Sequence, residues 1–167
     1  MMWFDSFKTP IGRLVLAADE RGLRHVLFET NRYLPTDRDT WKRDAAAVRD
    51  AREQLLAYFA GERRTFALEL QPVGTPFQLK VWQALTEIPF GATCSYGEIA
   101  RRIGDPKAVR AVGAANGRNP LPIVVPCHRV IGSNGKLCGF TCPQGLAMKE
   151  KLLEREGASR QRNRKAK

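Results

Sequence analysis

From Asn119 to Gly132 the chain reads Asn-Pro-Leu-Pro-Ile-Val-Val-Pro-Cys-His-Arg-Val-Ile-Gly, an apolar, β-branched run crossed by three prolines. No regular element tolerates prolines at that density, because each removes a backbone donor and restricts the residue before it. The run must break at Pro126, which puts Cys127 and His128 on the turn that follows. In a continuous strand the two side chains would point to opposite faces; on a turn they can act together. Cysteine reacts as the thiolate, and a neighbouring imidazole is the usual device that lowers a thiol pKa. The chain has two histidines, so one beside this cysteine is informative. From the dipeptide alone, a buried inert cysteine next to a core histidine reads equally well.

At 167 residues the chain has room for one medium domain or two small ones with a real core. It has no apolar stretch of about 18 residues and no leader pattern at Met1-Met2-Trp3-Phe4-Asp5. A soluble cytoplasmic or nucleoid-associated protein is expected, neither secreted nor held in a membrane. The four cysteines, Cys94, Cys127, Cys138 and Cys142, are then expected as reduced thiols rather than a disulfide framework. Charge is uneven. Residues 1–74 carry 12 basic and 11 acidic side chains, residues 75–157 carry 11 and 6, and residues 158–167 carry 5 and none. The excess lies in the half that holds Cys127, which points to a polyanionic partner there.

The organisation predicted is α+β: a sheet-plus-helix domain over 1–70, a linker at 71–74, a mainly helical domain over 75–157 and a basic disordered tail at 158–167. Strands are expected at 2–7, 14–18 and 23–29, with turns at Thr9-Pro10-Ile11-Gly12 and Arg21-Gly22. Residues 41–59 have helical spacing, with Val48, Leu55 and Phe59 near one stripe and Gly61 as the stop. Residues 66–70 can add a last short strand.

In the second half Thr75 is an N-cap with Pro76 at the first helical position, and Phe77, Val81, Leu85 and Ile88 recur at core spacing. Ser95 caps a second helix over 96–103 that stops at Gly104. Asp105 and Pro106 open a third running to about 117. Two short helices joined by a tight turn make a helix-turn-helix. On the third helix Val109, Val112 and Ala115 are assigned to the core, and Lys107, Arg110, Ala114 and Gly117 to another side. Two cations among residues with almost no side chain would let a backbone approach a groove closely. A turn is expected at Ser133-Asn134-Gly135-Lys136 and a last helix over 144–156. Glu154 and Glu156 fall in its final turn, where the helix dipole disfavours negative charge by up to about 1 kcal/mol. A carboxylate kept there can have another partner, with His128 the natural candidate, although from the sequence alone a surface glutamate is the better reading.

Other chemistries fit poorly. A zinc site built from Cys127, His128, Cys138 and Cys142 lacks the paired spacing such sites use. A phosphatase loop needs an arginine where Ser133 stands, and no histidine follows His128 to serve a papain-like pair.

Pro126-Cys127-His128-Arg129-Val130-Ile131-Gly132 resembles the active-site signature of the O6-alkylguanine-DNA alkyltransferases. The likeness continues in Thr75-Pro76-Phe77-Gln78, Ser95-Tyr96-Gly97-Glu98-Ile99-Ala100, Arg110-Ala111-Val112-Gly113-Ala114-Ala115-Asn116, Asn119-Pro120 and the closing Lys149-Glu150…Leu152-Leu153…Glu156-Gly157. It is clear over residues 75–157 and looser over the N-terminal half, which would be the family's ribonuclease H-like domain.

The resemblance implies a repair protein that takes an alkyl group from O6 of guanine, with O4-alkylthymine as a further substrate, onto its own cysteine, once per molecule. Cys127 would be the acceptor, His128 its base through a water, Glu156 the group that orients His128, and Asn119 the holder of the turn. Tyr96, Arg110, Val130 and Phe140 would contact the substrate, Arg110 filling the gap left by a flipped nucleotide and Tyr96 pressing on its phosphate. Lys107, Arg110, Ala111, Ala114 and Arg118 would meet duplex DNA. A monomer without cofactor or metal is implied. Two departures stand out. The stretch from Phe140 to Leu146 is about two residues longer than the family's and holds a second thiol, and no cysteine precedes Cys94 to build an N-terminal zinc site. A lesion-binding module without transfer, or a helix-turn-helix regulator with an inert cysteine, are the alternatives.

Residues 159–167 have no apolar residue larger than alanine, too little to offset the entropy of ordering, yet their cations can meet phosphates. Each phosphate neutralised adds about 0.9 to the salt slope of DNA binding. Deleting the tail is expected to weaken duplex affinity at low salt and flatten that slope, with the transfer rate at saturating DNA little changed. Affinities measured across a salt series test this, and parallel lines of equal slope would refute it.

Overall fold

A tight turn starts the fold. Thr9 Oγ1 donates to the Gly12 carbonyl at 2.6 Å and accepts the Ile11 N–H at 3.2 Å, and Gly12 has a φ of 112° that a side chain would resist. The turn joins β1 (Trp3–Thr9) to β2 (Gly12–Ala18), which pairs in turn with β3 (Leu23–Phe28). The computed structural model describes residues 1–31, 33–132 and 145–158. Both pairings are antiparallel, with Phe7 opposite Leu14 and Leu16 opposite Val26, and a bulge lies at Ala17–Ala18. Alternation along β2 sends Leu14 and Leu16 into the main core while Val15 and Ala17 meet Leu27 and Trp41 on the other face.

The helix expected over 41–59 is shorter than its spacing suggested. Lys42–Arg43 form β4, parallel to β1, giving a sheet of order β3-β2-β1-β4. The Lys42 and Asp44 amides donate to the carbonyls of Met2 and Phe4 at 2.9 Å each. Asp44 Oδ1 then accepts the Ala46 N–H at 3.0 Å, starting a 3-10 turn, Ala45–Val48, before α1 (Arg49–Phe59) begins. Sheet pairing and a local side-chain acceptor outbid helix at this point. The strand expected at 66–70 is reduced to one bridge between Leu70 and Leu23.

The caps of the second half form as expected. Thr75 and Gln78 close a capping box on α2 (Pro76–Leu85), and Ser95 and Glu98 close another on α3 (Tyr96–Arg102). Gly104, at φ 81°, ends α3, and the Asp105 amide reaches back to the Ala100 carbonyl at 2.9 Å. Asp105 and Pro106 do not open the next helix. They belong to a turn closed by the Ala108 amide on the Asp105 carbonyl at 3.0 Å, and α4 (Val109–Gly117) starts three residues later. Val112 and Ala115 are buried as expected, whereas Val109, in the first turn of α4, is exposed and Gly117, at its end, is buried.

Cys94–Ser95 (β5) pair in parallel with Val130–Ile131 (β6). This short ladder fixes the start of the helix-turn-helix beside the segment leaving Cys127. The final helix is α5 (Leu146–Arg155), capped by Glu156 and ended by Gly157. One apolar core runs unbroken from Leu14 and Leu55 through Val81 and Ile99 to Leu152, so the sheet and the helices are packed as one body. Ala158, assigned to the disordered tail, is instead buried, its amide bonded to the Leu153 carbonyl at 2.9 Å, so the ordered body extends one residue further. The turn expected at Ser133–Lys136, Phe140 and its loop, Cys138, Cys142 and tail residues 159–167 lie outside the described residues. Among the described residues no helix is long and apolar enough to cross a membrane.

Candidate active site

The segment carrying Cys127 is shaped by one asparagine and one proline. Asn119, 2% exposed, donates from Nδ2 to the Val125 carbonyl at 2.8 Å and accepts the Leu121 N–H on Oδ1 at 2.9 Å, clipping both ends of the run. Within it Ile123 adopts a φ of 76°, a conformation that β-branched residues strongly resist. The Pro120 carbonyl accepts from the Val26 amide at 2.9 Å, tying the run to the edge of the sheet. Pro126 has φ −81° and ψ 67°, and the Cys127 amide bonds the Val125 carbonyl at 2.8 Å, which together make an inverse γ-turn. Cys127–Arg129 follow as a single 3-10 turn. The strand thus breaks where the prolines require, and Cys127 and His128 share a turn.

That turn is sealed. Cys127 and His128 are both fully buried. His128 Nε2 lies 2.8 Å from Glu156 Oε2, so the proton on this nitrogen is assigned from the bond and the ring donates to the carboxylate. Among the described residues His128 Nδ1 has no hydrogen-bond partner. Glu156 comes from the cap of α5, the position at which its sequence neighbourhood called for a partner. Arg129 supplies most of the compensation: Nε donates to Oε1 at 2.8 Å, Nη2 to Oε2 at 3.0 Å, and Nη1 to the Ile88 carbonyl at 2.6 Å. Tyr58, 98 residues away in sequence, donates its hydroxyl to Oε2 at 2.6 Å.

The electrostatics follow from burial and these partners. Burial alone would raise the Glu156 carboxyl, but the hydrogen bonds from His128 and Arg129 and the Arg129 charge prevail and hold it well below the usual carboxylate range. Burial pushes the His128 imidazole below its ordinary value, further than the Glu156 bond and charge raise it. The pair at neutral pH is therefore a neutral imidazole with a free lone pair on Nδ1, backed by an anionic carboxylate. Such a ring can take a proton at Nδ1 while Glu156 stabilises the cation that results.

Other predicted residues fall around this centre. Val130 is fully buried on β6, and Tyr96, at the start of α3, is buried with its hydroxyl 3.3 Å from Lys149 Nζ. Lys107, Arg110, Ala111, Ala114 and Arg118 are all exposed along α4 and its approach, with the Arg118 guanidinium 3.9 Å over the Tyr33 ring. The exposed helix and the sealed turn are joined by Asn116, whose Nδ2 donates to the Cys127 carbonyl at 3.2 Å.

Four of these residues had no place in the sequence reading of the site: Tyr58, Asn116, Arg129 and Lys149. Arg129 adjoins the Cys-His pair, and Lys149 stands on the apolar stripe of α5 with Leu152 and Leu153, so both carried a signal. Tyr58 carried none. Among the described residues no cluster of three or more His, Cys, Asp or Glu side chains could hold a metal ion.

Fold and site define a two-domain α+β protein in which a buried thiol, backed by an imidazole–carboxylate pair, sits behind a helix-turn-helix. The family model for the DNA-binding domain of 6-O-methylguanine DNA methyltransferase matches residues 76–158, and the model for that family's ribonuclease-like domain matches residues 2–72. The chain belongs to the 6-O-methylguanine DNA methyltransferase family. It is 52% identical over 157 residues to a methylated-DNA–protein-cysteine methyltransferase of Methanosarcina acetivorans, covering 94% of this chain and 99% of that one. It is 47% identical over 143 residues to the constitutive enzyme of that name from Bacillus subtilis, covering 84% and 87%. Its fold superposes on Mycobacterium tuberculosis OGT in a crystal structure with DNA at a TM-score of 0.87, with 47% identity and coverage of 95% and 96%.

The Arg129–Glu156 pair is fully enclosed, with side-chain exposures of 7% and 0%. Replacing Arg129 with Leu leaves a buried carboxylate without its main partner and is expected to cost about 3–5 kcal/mol of unfolding free energy. Because the folded carboxyl is depressed, its stabilisation is complete above the ordinary glutamate range and is lost as pH falls below it. The variant is therefore also expected to lose less stability than the wild type between neutral and acid pH. Urea unfolding across a pH series measures both effects.

Proposed function

We propose that the protein repairs DNA by direct reversal, moving an alkyl group from O6 of guanine to Cys127 in a single irreversible turnover. The observation that carries this reading is the sealed Cys127 turn, with His128 bonded to an anionic Glu156, fastened through Asn116 to an exposed helix of small and cationic residues. In this scheme His128 Nδ1 receives the Cys127 proton through a water. The thiolate attacks the alkyl carbon, the carbon–O6 bond breaks, and its electron pair stays on the guanine, which takes up a proton. In this scheme the Tyr96 hydroxyl, which accepts from Lys149 Nζ at 3.3 Å, donates it. The product is a thioether, a poor leaving group, so each molecule acts once.

An O6-alkyl group lies inside the duplex, so the nucleotide must leave the stack at a cost of a few kcal/mol. Arg110 on α4 is the side chain to fill the gap, Tyr96 turns the phosphate, and Val130 borders the alkyl pocket. Lys107, Ala111, Ala114 and Arg118 complete the DNA face, and Asn119 keeps the cysteine turn in register. Duplex DNA carrying O6-alkylguanine is the partner, O4-alkylthymine a further substrate, and the monomer the acting form.

Intact-mass analysis after incubation with a methylated-guanine duplex is expected to show a gain of one methyl group, about 14 Da, on Cys127. Cys127→Ser is expected to bind the duplex without gaining mass. Methyl on Cys138 or Cys142, or several turnovers per molecule, would contradict the assignment. Arg110→Ala is expected to slow transfer from duplex DNA by about tenfold or more while barely affecting transfer from free O6-benzylguanine, which has no stack to leave. Single-turnover rates on the two substrates, compared side by side, make the test.

A further inference from the structure

We propose that Tyr58, a residue of the N-terminal domain, is a positioning residue of the transfer site, its hydroxyl sharing the Glu156 oxygen that receives the His128 ring proton. The inference rests on the roles given above to Cys127, His128 and Glu156. A carboxylate offers about four lone-pair sites, two on each oxygen, and Glu156 uses them unevenly: Oε1 accepts from Arg129 Nε, and Oε2 from Tyr58, His128 and Arg129 Nη2 at 2.6, 2.8 and 3.0 Å. The Tyr58 bond is the shortest of the four. Three donors compete for one oxygen, so the strength with which Glu156 draws on the imidazole depends on how much of that oxygen Tyr58 takes.

Packing explains the ring of Tyr58 but not its hydroxyl. The ring meets Phe59 and Phe90 edge-on, at centroid distances of 5.1 and 6.3 Å, and Phe66 at 5.7 Å. Phenylalanine would satisfy those contacts. The hydroxyl stays protonated, and so a donor, because burial and the neighbouring Glu156 charge raise its pKa far above the working range. The end of α1 is held in place by Arg155, whose Nη1 donates to the Phe59 carbonyl at 2.9 Å. Glu156 is thus faced by Tyr58 from α1 and by His128 and Arg129 from the cysteine turn. From α5 the charge of Lys149 acts on His128 and that of Arg155 on Tyr58. Only Tyr58 among these groups comes from the N-terminal domain.

The direction of the effect is fixed by the competition. Removing the hydroxyl leaves Oε2 more basic toward His128, favours the imidazolium and raises the His128 pKa. The neutral base is then available only at higher pH. For Tyr58→Phe the acid limb of the transfer rate from O6-benzylguanine is expected to move upward by roughly half a pH unit, with a plateau rate within about threefold of wild type.

The His128 ring resonance, followed by NMR, is expected to titrate upward by the same amount. The chain's other histidine, His25, held down to about 4 by burial and by Arg24, should stay where it is. A rate lowered equally at every pH, or an unchanged His128 titration, would make Tyr58 a packing residue and overturn the proposal. Wild-type protein that never becomes alkylated at Cys127 would overturn the reading beneath it as well. The NMR titration reports on the Tyr58–Glu156–His128 coupling independently of transfer, which separates the two failures.

Discussion

A single buried negative charge organises this molecule. An isolated carboxylate costs several kcal/mol to bury, and Glu156 is buried at the C-terminal end of a helix, where the dipole adds to the cost. The cost is offset by a guanidinium fork and an imidazole from the cysteine turn and a phenol from α1. Each of these partners is itself constrained: Arg129 also binds the Ile88 carbonyl, His128 sits on a one-turn 3-10 segment, and Tyr58 lies in an aromatic cluster. Removing the charge would leave three donors without an acceptor in a dry interior. The fold and the chemistry therefore stand or fall on the same four hydrogen bonds.

Much of the local structure was legible in the sequence because local rules decide it. Capping boxes at Thr75 and Ser95, the left-handed stops at Gly104 and Gly157 and the break at Pro126 depend on residues a few positions apart. Where tertiary contacts compete with local preference, the reading went astray. Residues 42–48 have helical spacing, yet the edge of β1 offered free carbonyls and Asp44 supplied a local acceptor, so the chain paired first and coiled later. At Asp105 a good N-cap signal went to a separate turn, and the helix began three residues later.

The site shows the same division. Cys127, His128 and Asn119 are close in sequence, and Glu156 carried a sign in sitting where a carboxylate is disfavoured, a sign that a surface glutamate would also give. Arg129 and Lys149 carried weaker signs, one by adjacency and one by standing on an apolar stripe. Tyr58 had none, because its hydroxyl meets Glu156 only after both domains have folded around a common core. Contacts of that kind are made by topology, and no window of sequence contains them.

Ile123 carries a consequence of its own. Its backbone is in a region where glycine is at ease and a β-branched residue is strained by about 1–2 kcal/mol, yet its side chain is 1% exposed and belongs to the core shared by both domains. Glycine would relax the backbone but open a hole where that side chain now packs, a loss of about 2–5 kcal/mol for an aliphatic group of this size. Every smaller residue gives up packing and every larger one overfills the space, while the strain persists for all but glycine. The position has no neutral neighbours in sequence space. Change in the cysteine-bearing run is thereby channelled away from its middle, toward the flanking loop and the exposed helix.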